Sequence, residues 1–135
     1  MNILVLCTGN SCRSQMAETL LQKEIGAKSK VYSAGLNPQL VNKYAIKVMS
    51  EIGHDISQHT SNHIDDYKDI SFKYVITVCS NADKNCPIFS GNATKVHIPF
   101  DDPADAIGTD EEILDEFRRV RDEIKVELTK WLNSL

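Results

Sequence analysis

The stretch NILVLCTGNSCRS, residues 2–14, combines a buried strand, a glycine-containing turn and the start of a helix. Residues 2–7 are rich in leucine and β-branched side chains, which is typical of a buried strand. Gly9 lets the backbone approach a ligand closely, and Asn10 tolerates a left-handed conformation. A strand that turns sharply into a helix directs unpaired N–H groups and the positive end of the helix dipole at one point. The stretch is therefore typical of a loop that binds an oxyanion.

The cysteine that opens this loop is a candidate nucleophile. The N–H donors and the helix dipole should lower the pKa of Cys7 well below its usual value of about 8.5. Arg13 can bind two oxygens of an oxyanion, and Ser14 is placed to donate a hydrogen bond to the thiolate. A buried, inert cysteine at a strand end is the alternative. The residues expected to line the substrate site, with Cys12 only filling space, are Thr8, Gly9, Asn10, Ser11, Cys12, Arg13 and Ser14.

Strands and helices alternate along the rest of the chain. Further strands are predicted over 31–34, 72–78 and 93–98. Helices are predicted from Ser14 to near Gly26, over 42–52 and at the carboxyl end. In the last helix apolar residues recur every three or four positions: Ile113, Phe117, Val120, Ile124, Leu128, Trp131 and Leu135. This alternation predicts an α/β fold, with a four-stranded parallel sheet flanked by helices on both faces and one catalytic domain over residues 1–135.

Three reactive side chains follow predicted strands. In parallel sheets ligands bind beyond the carboxyl ends of the strands, and Cys7, Cys79 and Asp102 all lie there. A carboxylic acid on such a loop, as in Asp101-Asp102-Pro103, could give a proton to an oxygen that leaves a bound oxyanion. The alternative for Asp102 is a carboxylate that caps a loop or helix.

Charge and hydropathy restrict the partners. The net charge of −4 argues against a nucleic acid or an anionic membrane held by long-range attraction. The first residues lack a basic region, and no apolar run approaches the roughly 20 residues of a membrane span. The chain is therefore expected in the cytoplasm, where its four cysteines would be reduced. We expect no nucleic acid, no membrane and a monomer.

The sequence resembles a known family over nearly its whole length. Residues 7–18, CTGNSCRSQMAE, are similar to the thioredoxin-coupled arsenate reductases, which share the low-molecular-weight protein tyrosine phosphatase fold. The resemblance continues through 31–35, 55–57, the segment from Cys79-Ser80 to Cys86-Pro87, 100–103 and 117–124. It implies that fold, and the catalytic residues Cys7, Arg13, Cys79, Cys86 and Asp102.

The resemblance also implies a relay of three thiols that reduces arsenate to arsenite. Cys7 attacks arsenic, Cys79 attacks Cys7 with release of arsenite, and Cys86 attacks Cys79, leaving a disulfide for thioredoxin to reduce. If residues 80–85 are helical, the Cα atoms of Cys79 and Cys86 lie about 10 Å apart, whereas a disulfide needs about 4.4–6.8 Å. The segment must therefore loop out when it is oxidised.

Other interpretations of the same residues remain open. A low-molecular-weight phosphatase acting on phosphotyrosine would use the same Cys, Arg and Asp, although Ala104-Asp105-Ala106 after the Asp-Pro pair suits a small inorganic anion. A catalytically idle anion-binding module is a further alternative. Cys79 and Cys86 could be incidental core thiols. Four cysteines could bind zinc, but their spacings are poor for it.

The chain is expected to need no cofactor and no metal apart from a possible weak potassium site. In potassium-sensitive members of the family an Asn, a Glu, a Ser and an Asp bind the ion. The first three match Asn10, Glu18 and Ser33. The Asp position aligns with Asn62, and the loss of a carboxylate should weaken binding unless Asp65 or Asp66 substitutes. The expected ligands are arsenate, or a phosphate- or sulfate-like oxyanion, and thioredoxin as reductant.

Overall fold

A parallel sheet forms the centre of the computed structural model, which describes residues 1–86 and 93–135. The strands are β1 (Asn2–Cys7), β2 (Lys30–Gly35), β3 (Tyr74–Thr77) and β4 (Thr94–His97). The helices are α1 (Arg13–Ile25), α2 (Lys43–Ser50), α3 (Ser80–Lys84) and α4 (Asp110–Asn133). The strand order is β2-β1-β3-β4, with every pair parallel. The predicted α/β class with four parallel strands is confirmed.

The strand order explains how both faces of the sheet are covered. The connection from β1 to β2 moves in one direction across the sheet, and that from β3 to β4 moves in the other. Because such crossovers are right-handed, α1 and α3 are placed on opposite faces. Ile3 to Leu6 of the central strand β1 are fully buried, as expected for a strand covered on both sides.

The long helix α4 closes one side of the core. Thr109 caps its first turn and Glu112 returns a hydrogen bond to the Thr109 N–H, which together form a capping box. Its inward positions are buried: Phe117, Val120, Arg121, Ile124 and Leu128. The predicted helical period is therefore confirmed from Phe117 to Leu128, where burial of each apolar side chain contributes about 1.5–3 kcal/mol. Its last predicted position is wrong, because α4 ends at Asn133 and Leu135 is exposed.

Some boundaries differ from the predicted ones. β3 is shorter than 72–78 and β4 is shorter than 93–98, because the paired register covers four residues of each strand, from Tyr74 to Thr77 and from Thr94 to His97. Two 3-10 turns, Ile64–Tyr67 and Pro103–Asp105, have no clear signal in the sequence. Pro87, part of the motif after Cys79, lies outside the described residues. No helix in the two described ranges is both long and apolar enough to span a membrane.

Candidate active site

The loop after β1 has the tight conformation that its sequence predicts. Asn10 adopts a positive φ of 49° and is fully buried. Its carbonyl oxygen accepts hydrogen bonds from Gln15 Nε2 at 3.0 Å and Ser61 Oγ at 2.7 Å. Its side chain donates from Nδ2 to Ser14 Oγ at 2.8 Å, so the Ser14 hydroxyl proton is left for another acceptor. These contacts fix the loop around its left-handed residue.

A glycine at the end of β2 lets the loop pack against the neighbouring strand. A Cβ atom added to Gly35 would lie 2.6 Å from the Thr8 carbonyl oxygen and 3.0 Å from the Asn10 nitrogen. Any larger residue would push the loop away from β2. Gly35 is therefore part of the site's support, whereas its sequence context indicates only the end of a strand.

The cation of the site is Arg13, the first residue of α1. Its Nη1 donates to the Phe100 carbonyl oxygen at 3.0 Å, and its Nη2 lies 3.4 Å from Asp102 Oδ2. Its Nε is buried and has no hydrogen-bond partner among the described residues. No side chain caps α1, whose N-cap position is Cys12. An uncapped helix start beside a buried, unsatisfied guanidinium N–H is suited to an anion.

The carboxylate of the site lies on the loop after β4. Asp102 contacts Arg13 and accepts a hydrogen bond from Cys12 Sγ at 3.6 Å. Its Oδ1 also accepts from the Ala104 N–H at 3.0 Å, so Asp102 caps the 3-10 turn as well. Asp102 therefore lies where a proton donor to the site is expected and also caps a turn, which were the two interpretations of its sequence. Burial, followed by the Asp102 charge, raises the pKa of Cys12 to about 11, which keeps it a thiol.

The second cysteine of the predicted relay lies beside the first. The Cys7 and Cys79 thiols lie close enough for each to be the largest influence on the pKa of the other, and both are almost fully buried. The Thr8 Oγ1 lies 3.3 Å from Cys79 Sγ, and the Ala82 N–H donates to the same sulfur at 3.4 Å. β1 and β3 are adjacent strands, and this adjacency brings the two thiols together at their carboxyl ends.

The charge of this pair differs from the sequence-based expectation for Cys7. The neighbouring Cys7 thiol, helped by Thr8, the Ala82 N–H and the Arg13 charge, lowers the pKa of Cys79 to about 4. The same contact, together with burial, raises the pKa of Cys7 despite the opposing effects of Arg13 and the Thr8 N–H. The prediction of a lowered Cys7 pKa is therefore wrong for this arrangement. The prediction considered Cys7 alone. Two neighbouring thiolates repel each other, so the pair does not readily carry two negative charges.

Cys86 lies at the opposite end of α3 from Cys79. Cys79 caps the start of this helix, and Asn85 caps its end. A helical segment of seven steps rises about 10 Å, so the two cysteines cannot form a disulfide while α3 is intact. None of the four cysteines, all of which lie in the described residues, is in a disulfide. Burial raises the pKa of Cys86.

Two residues of the possible potassium site, Glu18 and Ser33, are in contact, but Asn62 does not complete it. Ser33 Oγ donates to Glu18 Oε1 at 3.0 Å. The Asn62 backbone N–H donates to Asn10 Oδ1 at 2.9 Å, which occupies an oxygen that an ion would need. The Asn62 side chain contacts Thr60 and Asp66 instead. Across the described parts of the chain, no group of three or more His, Cys, Asp or Glu residues is arranged to hold a metal ion.

Comparison with known proteins agrees with this geometry. The family model for low molecular weight phosphotyrosine protein phosphatases matches residues 2–135. Arsenate reductase 1 of Staphylococcus epidermidis is 52% identical over 133 residues, which make up 98% of this chain and 96% of that protein.

Two solved structures are similar over almost the whole chain. The structure of an arsenate reductase in the phosphate-binding state has a TM-score of 0.76 and 29% identity, and covers 98% of this chain and 97% of its own. That of an arsenate reductase in the oxidized state has a TM-score of 0.74 and 30% identity, with coverages of 96% and 94%. The chain therefore belongs to the low molecular weight phosphotyrosine protein phosphatase family and, within it, groups with proteins named arsenate reductase.

Proposed function

We propose that this protein reduces arsenate to arsenite through Cys7, Cys79 and Cys86, with thioredoxin as the reductant. The observation that carries the proposal is the placement of Cys7 and Cys79 side by side at the ends of adjacent strands, next to the unsatisfied Nε of Arg13. Transfer of a phosphoryl group needs one thiol, whereas reduction of arsenate needs a second thiol that can reach the first. The names of the S. epidermidis relative and of the similar solved structures support the same substrate.

In the first step the loop binds arsenate and Cys7 attacks it. The guanidinium of Arg13 and the N–H groups at the start of α1 hold the oxyanion. As Cys7 attacks, its proton passes to the neighbouring Cys79 sulfur, which is the largest influence on the Cys7 pKa. An S–As bond forms and the bond from arsenic to one of its hydroxyl oxygens breaks; this oxygen leaves as water with a proton that Asp102 takes up from solvent and passes on.

In the second step Cys79 attacks the Cys7 sulfur. The Cys79 proton passes to an oxygen on arsenic, the S–S bond forms and the S–As bond breaks. The electron pair of that bond stays on arsenic, which departs as arsenite, As(III). The product on the protein is a Cys7–Cys79 disulfide.

The last steps restore the starting thiols. α3 unwinds, and the Cys86 thiolate attacks Cys79, which forms a Cys79–Cys86 disulfide and frees Cys7 as a thiolate. A thioredoxin dithiol then reduces this disulfide and is itself oxidised. The polar side chains of α3 favour this unwinding, because only Ala82 of the helix is buried.

The experiment that tests the proposal is a coupled assay. Purified protein, thioredoxin, thioredoxin reductase and NADPH should consume NADPH when arsenate is added. Omission of thioredoxin should reduce turnover to the stoichiometry of the protein's own thiols. Cys86→Ala should stop multiple turnover and leave hydrolysis of an aryl phosphate within about twofold of the unmodified rate, because phosphoryl transfer does not use Cys86. Arsenate-dependent turnover by Cys86→Ala at the unmodified rate would contradict the relay.

A second candidate function is hydrolysis of phosphate monoesters. The family match and the grouping of Cys7, Arg13 and Asp102 favour it. Ala104 and Asp105, which follow the Asp-Pro pair, offer no aromatic surface to a substrate ring. We therefore expect aryl phosphates to be poor substrates, and a kcat/KM for phosphotyrosine that exceeds the value for arsenate would reverse the order of the two candidates.

A further inference from the structure

A chain of hydrogen bonds runs along α3 and ends at the Cys79 sulfur. Asn81 Nδ2 donates to Thr8 Oγ1 at 2.8 Å, and Thr8 Oγ1 lies 3.3 Å from Cys79 Sγ. Asn85 Nδ2 in turn donates to Asn81 Oδ1 at 2.8 Å and to the Asn81 carbonyl oxygen at 3.0 Å. The chain therefore leads from Asn85 through Asn81 and Thr8 to the thiol.

The direction of each bond follows from the chemistry of its groups. An amide nitrogen can only donate, so the contact with Asn81 uses a lone pair of the Thr8 oxygen and leaves its single proton free. The nearest acceptor for that proton is the Cys79 sulfur. The Asn85 donor fixes the Asn81 amide with its oxygen toward Asn85 and its nitrogen toward Thr8. A reversed Asn81 amide would place its nitrogen against the Asn85 nitrogen, which are both donors.

We propose that Asn81 is a positioning residue for Cys79, because its side-chain amide, held by Asn85, orients the Thr8 hydroxyl so that the proton of Thr8 is donated to the Cys79 sulfur. The anion-binding loop contains the same arrangement, since Asn10 donates to the hydroxyl of Ser14 and leaves that proton free. Each of the two hydroxyls is thus oriented by an asparagine.

The inference depends on the proposed function in one respect, which is that the proposed reaction requires Cys79 to act as a nucleophile. A hydroxyl that donates to sulfur stabilises the thiolate, and donation to Thr8 from Asn81 polarises the O–H bond and strengthens the contact. The charged and titratable groups that act on Cys79 from neighbouring elements are Cys7 and Arg13. Asn81 and Thr8 carry no charge, and their hydrogen bonds add to the effects of Cys7 and Arg13 on the Cys79 pKa.

The chain also ties this contribution to the conformation of α3. Asn81 and Asn85 lie one helical turn apart, and Asn85 reaches Asn81 only while the turn exists. When α3 unwinds to bring Cys86 to Cys79, the donor chain breaks. Cys79 therefore has its oriented donor before it attacks Cys7 and loses it when Cys79 itself becomes the target of Cys86.

The test is a titration of thiolate absorbance at 240 nm in the reduced protein without arsenate, so its result is independent of the proposed reaction. Between pH 3 and 8 only the first ionisation of the Cys7–Cys79 pair contributes, because the pKa of Cys12 is raised to about 11 and that of Cys86 is also raised. The midpoint is compared for the unmodified chain, Asn81→Ala, Asn81→Asp and Ser80→Ala, an exposed control on the same helix. Far-UV circular dichroism at each pH checks that each variant is folded.

We expect Asn81→Ala to raise the midpoint by about one unit, which corresponds to the loss of one oriented hydrogen bond to a charged group. Asn81→Asp should raise it further, because a carboxylate would accept the Thr8 proton and repel the thiolate. Ser80→Ala should leave it unchanged.

A double-mutant cycle separates positioning from general loosening of the helix. Thr8→Val should raise the midpoint as Asn81→Ala does, and adding Asn81→Ala to Thr8→Val should change nothing more, because Asn81 acts through Thr8. Additive shifts in the double variant would overturn the inference, as would an unchanged midpoint in Asn81→Asp. If the titration agrees but arsenate is not reduced, the proposed function fails and the role of Asn81 in orienting Thr8 stands.

Discussion

Cys7 and Cys79 behave as one titrating unit. Each sulfur is the main influence on the pKa of the other, so the pair carries one negative charge far more easily than two. Apparent pKa values of such a pair belong to both groups together. The low value at Cys79 and the proton on Cys7 prepare the proton transfer that accompanies attack on arsenate.

Cys7→Ser should abolish both arsenate reduction and aryl phosphate hydrolysis. An alcohol near neutral pH is a far weaker nucleophile than a thiolate, and we expect each kcat/KM to fall by more than about 1,000-fold. Coupled NADPH oxidation and aryl phosphate assays measure the two activities, with Cys12→Ser as the matched control because Cys12 stays a thiol with no assigned chemistry. Substantial turnover by Cys7→Ser would remove Cys7 from the centre of the mechanism.

Arg13→Lys should preserve the charge but not the activity. A lysine ammonium cannot replace both the Nη1 donor to the Phe100 carbonyl oxygen and the Nε donor that is left for an anion. We expect kcat/KM for arsenate to fall about 100- to 1,000-fold, as for the loss of an oriented donor at an oxyanion. Arsenate kinetics measure this loss, and binding of phosphate by calorimetry should weaken in parallel. A variant with unchanged phosphate affinity would show that the oxyanion is held elsewhere.

The residues that carry the chemistry could be found in the sequence, but their supports could not. Cys7, Arg13 and Asp102 follow from a strand end, a helix start and an Asp-Pro pair. Gln15 and Asn81 act through contacts with residues far along the chain or across the site, and no spacing indicates them. The pKa of Cys7 was predicted wrongly for the same reason, since it depends on the adjacency of β1 and β3.

Among the secondary-structure elements, α3 has to change the most. In the reduced protein its Asp83 is held against the sheet by Lys95 Nζ, 3.0 Å from Oδ1, and by Thr77 Oγ1 at 3.4 Å. His97 Nδ1 lies 3.8 Å from the same oxygen. These contacts stabilise the helical form of α3 against the unwound form that a Cys79–Cys86 disulfide requires.

Lys95→Met should therefore favour the Cys79–Cys86 disulfide. We expect its equilibrium constant in glutathione buffers to rise about two- to fivefold, the range for a partly exposed ion pair. Quantitative mass spectrometry of alkylated thiols measures the ratio, and Lys84→Met, exposed on α3, is the control. An unchanged ratio in Lys95→Met would show that the ion pair does not restrain α3.

The expected effect of Lys95→Met depends on pH. Lys95 lowers the pKa of Asp83, so the stabilisation of α3 by this carboxylate is present above its ordinary pKa and is lost as the pH falls through the lowered value. The difference between Lys95→Met and the unmodified chain should therefore disappear in strong acid. Hydrogen exchange of the α3 amides measures the unfolding of this helix, and therefore the same change, without the disulfide.

Potassium should stabilise this protein little. An ion between the loop, α1 and β2 would find the Glu18 carboxylate bonded to Ser33 and 3.6 Å from His59 Nδ1, while Asn62 donates an N–H where the family has an Asp. Melting curves in matched K⁺ and Na⁺ buffers should differ by less than about 1 °C for the unmodified chain and by more for Asn62→Asp, because a carboxylate adds charge to the site. A large K⁺-specific gain in the unmodified chain would show that the site is complete as it stands.

For the molecule as a whole, the order of the strands produces the site. Placing β1 between β2 and β3 brings the Cys7 loop against Gly35 on one side and Cys79 on the other. The α/β class could be predicted because strand and helix periods alternate clearly, above all in α4. The boundaries of β3 and β4 could not, because they depend on which backbone groups find a partner in the neighbouring strand. The 3-10 turn at Pro103–Asp105 depends in the same way on where Asp102 meets Arg13.

The most direct test of the central claim is disulfide mapping in Cys86→Ala after one exposure to arsenate. Without Cys86 the relay should stop after its second step, so stoichiometric arsenate should yield arsenite and trap a Cys7–Cys79 disulfide, identified by mass spectrometry of non-reduced peptides. Phosphate in place of arsenate should leave all three remaining thiols reduced. A protein that forms no Cys7–Cys79 disulfide with arsenate, or that forms it equally with phosphate, would contradict the transfer of oxidation from arsenic to this pair of thiols.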